Sequence, residues 1–294
     1  MLELSSPPRA CALALAHLVL PALTSLILTA RSFDSTGSDA LILTQYLTQH
    51  AHGPQDARPL QSVHFRGDTI RTHTRIVAWP TVIPDIHDVP YCQQTSRTAR
   101  VVLSIGPTCD VPWHSSIYIQ VLGAAIEALS LDGLVALTAE YEARFDVQVW
   151  LRHAPRWPLL EHVQLSSGAA RGPKEMLLLE EDNGGHKGPL LPSLRQLDLL
   201  DDTSLTKRRT LRLCDALKKR VQQGVPLKVL SWTTHKWTFG AFWLLRRFVA
   251  DVRGPKRDSF WQREEPLACD LETYQFVSSD DDSDQEDPSE VMEA

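Results

Sequence analysis

Three stretches of the sequence share one pattern: LEHVQL at 160–165, LRQLDL at 194–199 and LKVLSW at 227–232. Each reads apolar-x-x-apolar-x-apolar, and their first residues are 34 and 33 positions apart. Self-similarity at a fixed period of about 20–50 residues is typical of solenoids, in which each unit buries its apolar face against its neighbours. The alternation that ends the pattern indicates a short strand with one face inward. These stretches therefore predict stacked repeats that contain one strand each.

The same pattern occurs in the first half of the chain, with starts near 23, 60, 100 and 126. The copy near 100 is weaker, because Arg100 stands where the first apolar residue is expected. The uneven spacing predicts an irregular solenoid of about seven turns. The predicted repeat core consists of Leu23, Leu26, Leu28, Leu60, Val63, Phe65, Leu103, Ile105, Ile126, Leu129, Leu131, Leu160, Val163, Leu165, Leu194, Leu197, Leu199, Leu227, Leu230 and Trp232.

Helices are predicted between these strands, over 39–49, 134–152, 205–223 and 239–252. The helix over 205–223 has the clearest amphipathic pattern, with Leu211, Cys214, Leu217 and Val221 at helical spacing and Gly224 after its end. A strand and a helix in each period of 33–34 residues are typical of a long leucine-rich repeat. We therefore predict an α/β fold over 1–262, an irregular leucine-rich-repeat solenoid with short parallel strands on the concave side and helices on the convex side.

Two other segments need separate interpretations. The proline-containing stretch 69–90 lacks a helical period and predicts an irregular crossover. The apolar run from Ala10 to Ala30 is open to two interpretations, a targeting segment or a repeat strand. Leu-Pro precedes this copy at 20–21 and another copy at 191–192, in the same register. This match favours a repeat strand, and we expect no membrane association.

Charge is distributed unevenly along the chain, although the net value is only −6 over 294 residues. The segment 264–294 contains 12 acidic residues and no Lys or Arg, which leaves 24 acidic against 30 basic residues in the rest. The Ser/Asp/Glu-rich composition predicts a disordered tail over 263–294, since it offers little apolar surface to bury. The five cysteines are scattered and form no CxxC pair, which favours reduced thiols in a cytoplasmic or nuclear protein.

A basic region precedes this tail. The segment 207–257 contains 14 Lys or Arg and two acidic residues. One interpretation is solvated helix faces; the other is a patch for an acidic protein, phosphate groups or nucleic acid. A third interpretation is that the acidic tail contacts the basic patch. The candidate anion-binding residues are Lys207, Arg208, Arg209, Lys218, Lys219, Arg220, Arg246 and Arg247.

Motifs for catalysis and cofactor binding are missing from the sequence. It contains no phosphate-binding GxxxxGK[ST], GxGxxG, GxSxG or HExxH pattern. We therefore assign no catalytic, cofactor-binding or metal residues and expect no enzyme activity. An enzyme whose site is scattered along the chain remains the alternative, and a pocket with converging polar groups would indicate it.

Three features together resemble the C-terminal halves of fungal F-box-like proteins: the LPSLRQLDL strand at 191–199, the TLRLCDALKKR helix at 210–220 and the GVPLKVL stretch at 224–230. The resemblance covers roughly 18–252 and implies leucine-rich repeats that hold the target of a cullin–RING ubiquitin ligase. In that family an F-box ahead of the repeats docks on a Skp adaptor. No recognisable F-box precedes the first repeat here, so a truncated relative is one expectation. The resemblance implies a non-enzymatic protein-interaction module with an unknown target.

Overall fold

The computed structural model describes residues 1–18, 25–32, 34–51, 59–68, 73–83, 99–107, 115–140, 152–166, 190–200, 207–232 and 239–254. The chain divides into two units, Met1–Lys256 and Arg257–Ala294, and all described residues belong to the first. The predicted tail and the predicted core residue Leu23 therefore lie outside the described residues.

The described residues form one ten-stranded sheet and a set of helices. The strands are β1 (Leu2–Ser6), β2 (Leu26–Ser32), β3 (Ser62–Asp68), β4 (His73–Trp79), β5 (Val101–Pro107), β6 (Ala136–Glu140), β7 (His162–Leu165), β8 (Gln196–Leu199), β9 (Val229–Trp232) and β10 (Asp251–Arg253). The α-helices are α1 (Pro8–His17), α2 (Ser38–Ala51), α3 (Ser115–Ala128), α4 (Lys207–Gln222) and α5 (Phe239–Arg246). Short 3-10 helices occur at Leu131–Gly133 and Ala154–Arg156.

The strand order is β1-β2-β5-β4-β3-β6-β7-β8-β9-β10. From β6 to β10, consecutive strands are parallel neighbours, as stacked repeats require. In the first half, β4 pairs antiparallel with both β3 and β5. The predicted α/β class with a mostly parallel sheet is confirmed, and this arrangement is compatible with a solenoid.

Two rows of apolar side chains cross the sheet on the face that packs against the helices. One row runs through paired positions in β3, β6, β7, β8, β9 and β10, namely Val63, Leu137, Val163, Leu197, Leu230 and Val252. The next row contains Phe65, Ala139, Leu165 and Leu199. All of them are buried in one core cluster with residues of α1, α2 and α3. The period-2 alternation of the sequence thus places every second strand residue in the core.

One turn geometry recurs ahead of three strands. The amide of Leu160 donates to the carbonyl of Trp157 at 3.1 Å, and Leu194 donates to Leu191 at 3.1 Å. Leu134 donates to Leu131 in the same way at 3.0 Å. Each leucine that ends such a turn is buried, and the strand residue three positions later belongs to the core cluster: Leu137, Val163 and Leu197. The turn therefore fixes which residues of the following strand face the core.

Adjacent repeats are joined by one carbonyl that accepts two hydrogen bonds. The carbonyl of Glu161 accepts from the amides of Arg195 and Gln196, each at 2.9 Å. The same pair of hydrogen bonds occurs between four successive pairs of strands. The acceptors are the backbone carbonyls of Gln61, Val135, Glu161 and Arg195. From β3 to β9 the parallel strands are thus joined by one recurring backbone connection, which is compatible with a solenoid.

The predicted strand at Ile126–Leu131 is wrong. Ile126 lies in α3, and Leu131 begins a 3-10 helix. The strand that stacks here is β6, with Leu134, Leu137 and Ala139 in the pattern positions. Because a helix end also places apolar residues three and five positions apart, the two patterns are alike over so short a stretch. The last pattern position of β6 is the small Ala139, where other copies have a large apolar residue, so the correct register did not match the pattern.

Three further predictions change with the structure. The helix predicted over 134–152 is wrong at its start, where β6 forms. The helix predicted over 239–252 ends at Arg246, and β10 follows. The crossover predicted over 69–90 contains β4, which forms a hairpin with β3. The helices predicted over 39–49 and 205–223 are present as α2 and α4, within the described residues.

Of the predicted repeat core, the structure buries every side chain that it describes. These are Leu26, Leu28, Leu60, Val63, Phe65, Leu103, Ile105, Ile126, Leu129, Leu131, Leu160, Val163, Leu165, Leu194, Leu197, Leu199, Leu227 and Leu230. The backbone of Trp232 lies in β9, but its side chain is outside the described part.

Candidate interaction surfaces

A row of polar side chains crosses the face of the sheet opposite the helix-covered core. His64, Thr138, Gln164, Asp198 and Ser231 occupy paired positions in β3, β6, β7, β8 and β9. The first four are buried, with at most 8% of their surface exposed. Buried polar groups require hydrogen-bond partners, because desolvation without a partner is costly. We call these five residues the polar row.

Asp198 is the best-connected member of the polar row. Its Oδ1 accepts a hydrogen bond from Ser231 Oγ on the neighbouring strand. Its Oδ2 accepts from Gln196 Nε2 at 2.7 Å. Charge-assisted hydrogen bonds of this kind are roughly twice as strong as neutral ones. The carboxylate therefore links β8 to β9 and holds their side chains in fixed positions.

The other end of the polar row contains a buried contact between a histidine and a glutamate. His64 Nε2 lies 3.4 Å from Glu140 Oε2, and both side chains are at least 91% buried. The middle of the row lies between this contact and the hydrogen bonds of Asp198. There Thr138 Oγ1 donates to Gln164 Oε1 at 3.3 Å. Beyond β3 the row continues with the apolar Val77 and Val102, which belong to a second core cluster. Two positions along each strand on the same face, β4, β5 and β2 carry Arg75, Ser104 and Thr29.

Exposed charged side chains lie beside the polar row. Arg253 donates from Nε to Asp251 Oδ2 at 2.7 Å, and its second contact to the same oxygen is 2.6 Å. The neighbouring carboxylates raise the pKa of Arg253, through the hydrogen bond and charge of Asp251 first and Asp198 further away. Arg195 lies 3.8 Å from Glu161 with about half of its side chain exposed. Arg253 and Asp251 therefore add one charge of each sign to the strand face, whereas Arg195 and Glu161 lie directly ahead of β8 and β7.

The structure divides the predicted anion-binding patch. Lys218, Arg246 and Arg247 are exposed, and Lys219 is partly exposed. Arg246 lies over the Trp243 ring, 5.3 Å from its centroid. For Lys207, Arg208 and Arg209 the backbone belongs to α4, and their side chains lie outside the described part.

Arg220 does not belong to this patch, since its side chain is fully buried. Its guanidinium donates to the carbonyls of Leu190, Leu191 and Leu194 at 3.0, 3.1 and 3.4 Å. Leu191 has a φ of 54°, an unfavourable conformation for a leucine. The helix α4 thus uses Arg220 to hold the turn that precedes β8. A signal was present in the sequence: Arg220 follows Leu213 and Leu217 at the spacing of one helix face.

Besides Arg253, two exposed cations in the same region were not among the predicted residues. Arg212 lies on α4 and Lys228 directly precedes β9. Within the described residues neither of them, nor Lys218 or Arg247, forms an ion pair. These four cations form the exposed basic set that the structure describes.

His153 and two thiols are buried away from these surfaces. The His153 ring stacks on Trp157 with 6.1 Å between centroids, and burial lowers the pKa of His153. Burial raises the pKa of Cys11, and burial and then the charge of Asp215 raise the pKa of Cys214 to about 11. Both thiols are free and protonated at neutral pH. Among the described residues no group of three His, Cys, Asp or Glu side chains is suited to a metal ion.

Comparison with protein-family models, curated proteins and solved structures finds no match to this chain. No helix in the described ranges is sufficiently long and apolar to span a membrane.

Proposed function

We propose that this chain is a non-enzymatic interaction module that recognises another protein through the polar face of its stacked strands. The observation that supports this proposal is the repeated two-bond connection between successive units. Stacked units place equivalent side chains in rows, and repeat proteins use such extended surfaces for binding. The exposed charges beside the polar row supply specific partners for a protein surface.

The proposal extends to the family that the sequence resembles. In this extension the repeats hold a target protein as the substrate-recognition half of a leucine-rich-repeat adaptor of a cullin–RING ubiquitin ligase, in the cytoplasm or nucleus. The leucine pattern at 191–199 and the parallel stack of β6–β10 support it. A Skp adaptor should then be retained in a pull-down, either by this chain or by a version extended upstream in its gene. No retention by either version at about tens of micromolar protein would overturn the ligase part and leave the interaction module standing.

A photo-crosslinking experiment tests recognition by the strand face. A crosslinking amino acid replaces His162, whose side chain is one quarter exposed beside the polar row, and the control position is Leu13 on α1. We expect one protein to crosslink at 162 and not at 13. Equal labelling at both positions, or adducts only at 13, would contradict recognition by this face.

A second candidate function is binding of a polyanion such as nucleic acid. The exposed basic set favours it, because Arg212, Lys218, Lys228 and Arg247 have no ion pair within the described part. Binding to phosphates releases counterions, so affinity would fall steeply as salt is added. A shallow salt dependence would exclude this function.

A further inference from the structure

Two arginines lie directly opposite each other on the strand face, beside the His64 end of the polar row. Arg66 in β3 pairs with Arg75 in β4. The neighbouring pair, Phe65 and Ile76, belongs to the helix-covered core, so the two arginines lie on the other face of the sheet. Side chains in directly opposite positions start about 5 Å apart, and like charges there are destabilising. This pairing therefore favours a nearby anion.

Glu140 supplies one negative charge, on the side of Arg66 that faces away from Arg75. It occupies the position paired with Arg66 in β6 and also lies 3.4 Å from His64 Nε2. Arg75 is one strand further away, and among the described residues it has no ion pair. Its Nε is buried and has no hydrogen-bond partner. Because a buried donor without a partner costs free energy, Arg75 is suited to an acceptor that a ligand supplies.

Hydroxyl groups and a third arginine lie around Arg75 on the same face. Ser104 in β5 is its register partner, and Thr29 in β2 follows Ser104 in the same row. Arg31 lies two residues beyond Thr29, is exposed and has no ion pair within the part of the chain that is described. The β5 position beside Arg31 is Gly106, which has no side chain. We call the following residues the arginine cluster: Thr29, Arg31, Arg66, Arg75 and Ser104.

The arginine cluster has the chemistry of a phosphate site. It carries three positive charges, against the one negative charge of Glu140. Guanidinium groups bind phosphate oxygens through paired donors, and hydroxyl groups can donate to a remaining oxygen. A phosphate monoester offers about −1.5 to −2 charges and three acceptor oxygens, whereas a carboxylate offers one charge and two oxygens. The number of donors and charges therefore favours phosphate over a carboxylate.

We propose that the arginine cluster binds a phosphate group on the strand face. The bound dianion offsets the repulsion between Arg66 and Arg75 and accepts a hydrogen bond from the buried Nε. Arg31 lies two strand spacings and two residues from Arg75, about 12 Å between Cα atoms, so the two side chains can reach one anion from opposite sides. Inorganic phosphate and a phosphorylated side chain share this chemistry. Only the second source rests on the proposed recognition of a protein.

Isothermal titration calorimetry of the full chain with inorganic phosphate tests the site. We expect saturable binding at neutral pH in chloride buffer. Arg75→Gln should weaken it at least about tenfold and Arg31→Gln about threefold, because each removes a charge-assisted donor. The control is Arg9→Gln, at an exposed arginine on α1, which should bind phosphate as the wild-type protein does. No saturable binding by the wild-type protein, or unchanged binding by Arg75→Gln, would overturn the proposal.

Thermal unfolding provides a second readout, in which each protein is compared with itself. A ligand that binds the folded state raises its unfolding midpoint. We expect phosphate to raise the midpoint of the wild-type protein by about 3 °C over chloride at equal ionic strength, and that of Arg75→Gln by less than about 1 °C. Equal shifts in the two proteins would contradict a site at Arg75, since general salt effects act on both alike.

Two labelled peptides that differ only in phosphorylation of one serine identify the source of the phosphate. Tighter binding of the phosphoserine peptide than of inorganic phosphate, with displacement of the peptide by phosphate, assigns the site to a phosphorylated protein. Binding of inorganic phosphate alone assigns it to the free ion. Crosslinking at 162 fails separately: phosphate binding without an adduct overturns protein recognition, and an adduct without phosphate binding overturns the phosphate site.

Discussion

Arg220 has a structural role at the scale of a single residue. A cation in a basic segment would ordinarily be assigned to the surface, yet this one donates to three backbone carbonyls beside a leucine with positive φ. Basic composition alone does not reveal this difference. The helical spacing from Leu213 and Leu217 does, since it places Arg220 on the buried stripe.

Replacement of Arg220 by methionine should destabilise the fold. Buried carbonyls that lose their donor cost about 1–3 kcal/mol, so we expect Arg220→Met to lower the free energy of unfolding by about 2–3 kcal/mol. Urea denaturation measures this change. Arg212→Met on the exposed side of the same helix is the control and should change stability by less than about 0.5 kcal/mol. Equal effects of the two substitutions would contradict the role of Arg220.

His153 makes stability depend on pH. Burial lowers its pKa below the ordinary 6.5, so the folded state holds the neutral ring more strongly than the unfolded state does. The contribution of the neutral His153 ring to the free energy of unfolding is therefore fully present above pH 6.5. It is lost as the pH falls from 6.5 towards the lowered pKa of the folded state. His153→Phe retains an aromatic ring against Trp157 without this titration. The wild-type protein should lose stability relative to the variant as pH falls below 6.5, whereas a constant difference between them would argue against it.

At the scale of elements, the repeated turn explains which strands the sequence predicts. Leu160 and Leu194 end a fixed turn, and a strand of period 2 follows, so two independent constraints agree on one register. At Ile126 only the short apolar pattern was present, and the end of α3 satisfies that pattern equally well. The hairpin of β3 and β4 depends on pairing with β5, a long-range contact that no local pattern encodes.

Leu197 tests the register of the stack. Its side chain is 1% exposed in the apolar row, so Leu197→Asp places a carboxylate in the core. We expect the variant to lose the cooperative thermal unfolding of the C-terminal half. Leu159→Asp makes the same change at a leucine that is 54% exposed and should unfold normally. Native-like unfolding of Leu197→Asp would count against the repeat register.

For the molecule as a whole, the sequence predicts where the charge changes sign but not which charged side chains are exposed. The sequence locates the change of sign between the basic region and 264–294. It does not show which cations are exposed, because that depends on how α4 is rotated against the core. The exposure of Leu211 and the burial of Arg220 both follow from this one rotation.

Removal of 277–294 should strengthen binding to polyanions. The deletion takes away eight acidic residues and no basic ones, and it changes the formal net charge from −6 to +2. Long-range attraction to an anion should then rise without any new contact. We expect several-fold tighter binding to heparin at low ionic strength, a gain that fades at high salt. Unchanged affinity at low salt would refute electrostatic competition by this segment.

Amide hydrogen exchange tests whether successive units stack through one repeated backbone connection. The decisive amides precede or begin three strands: Glu161 and His162, Arg195 and Gln196, and Lys228 and Val229. If the units stack as described, all six are bonded to the preceding unit and should exchange as slowly as the neighbouring strand amides. Exchange of these amides at the rate of an unstructured peptide, with the strands still protected, would contradict this stacking.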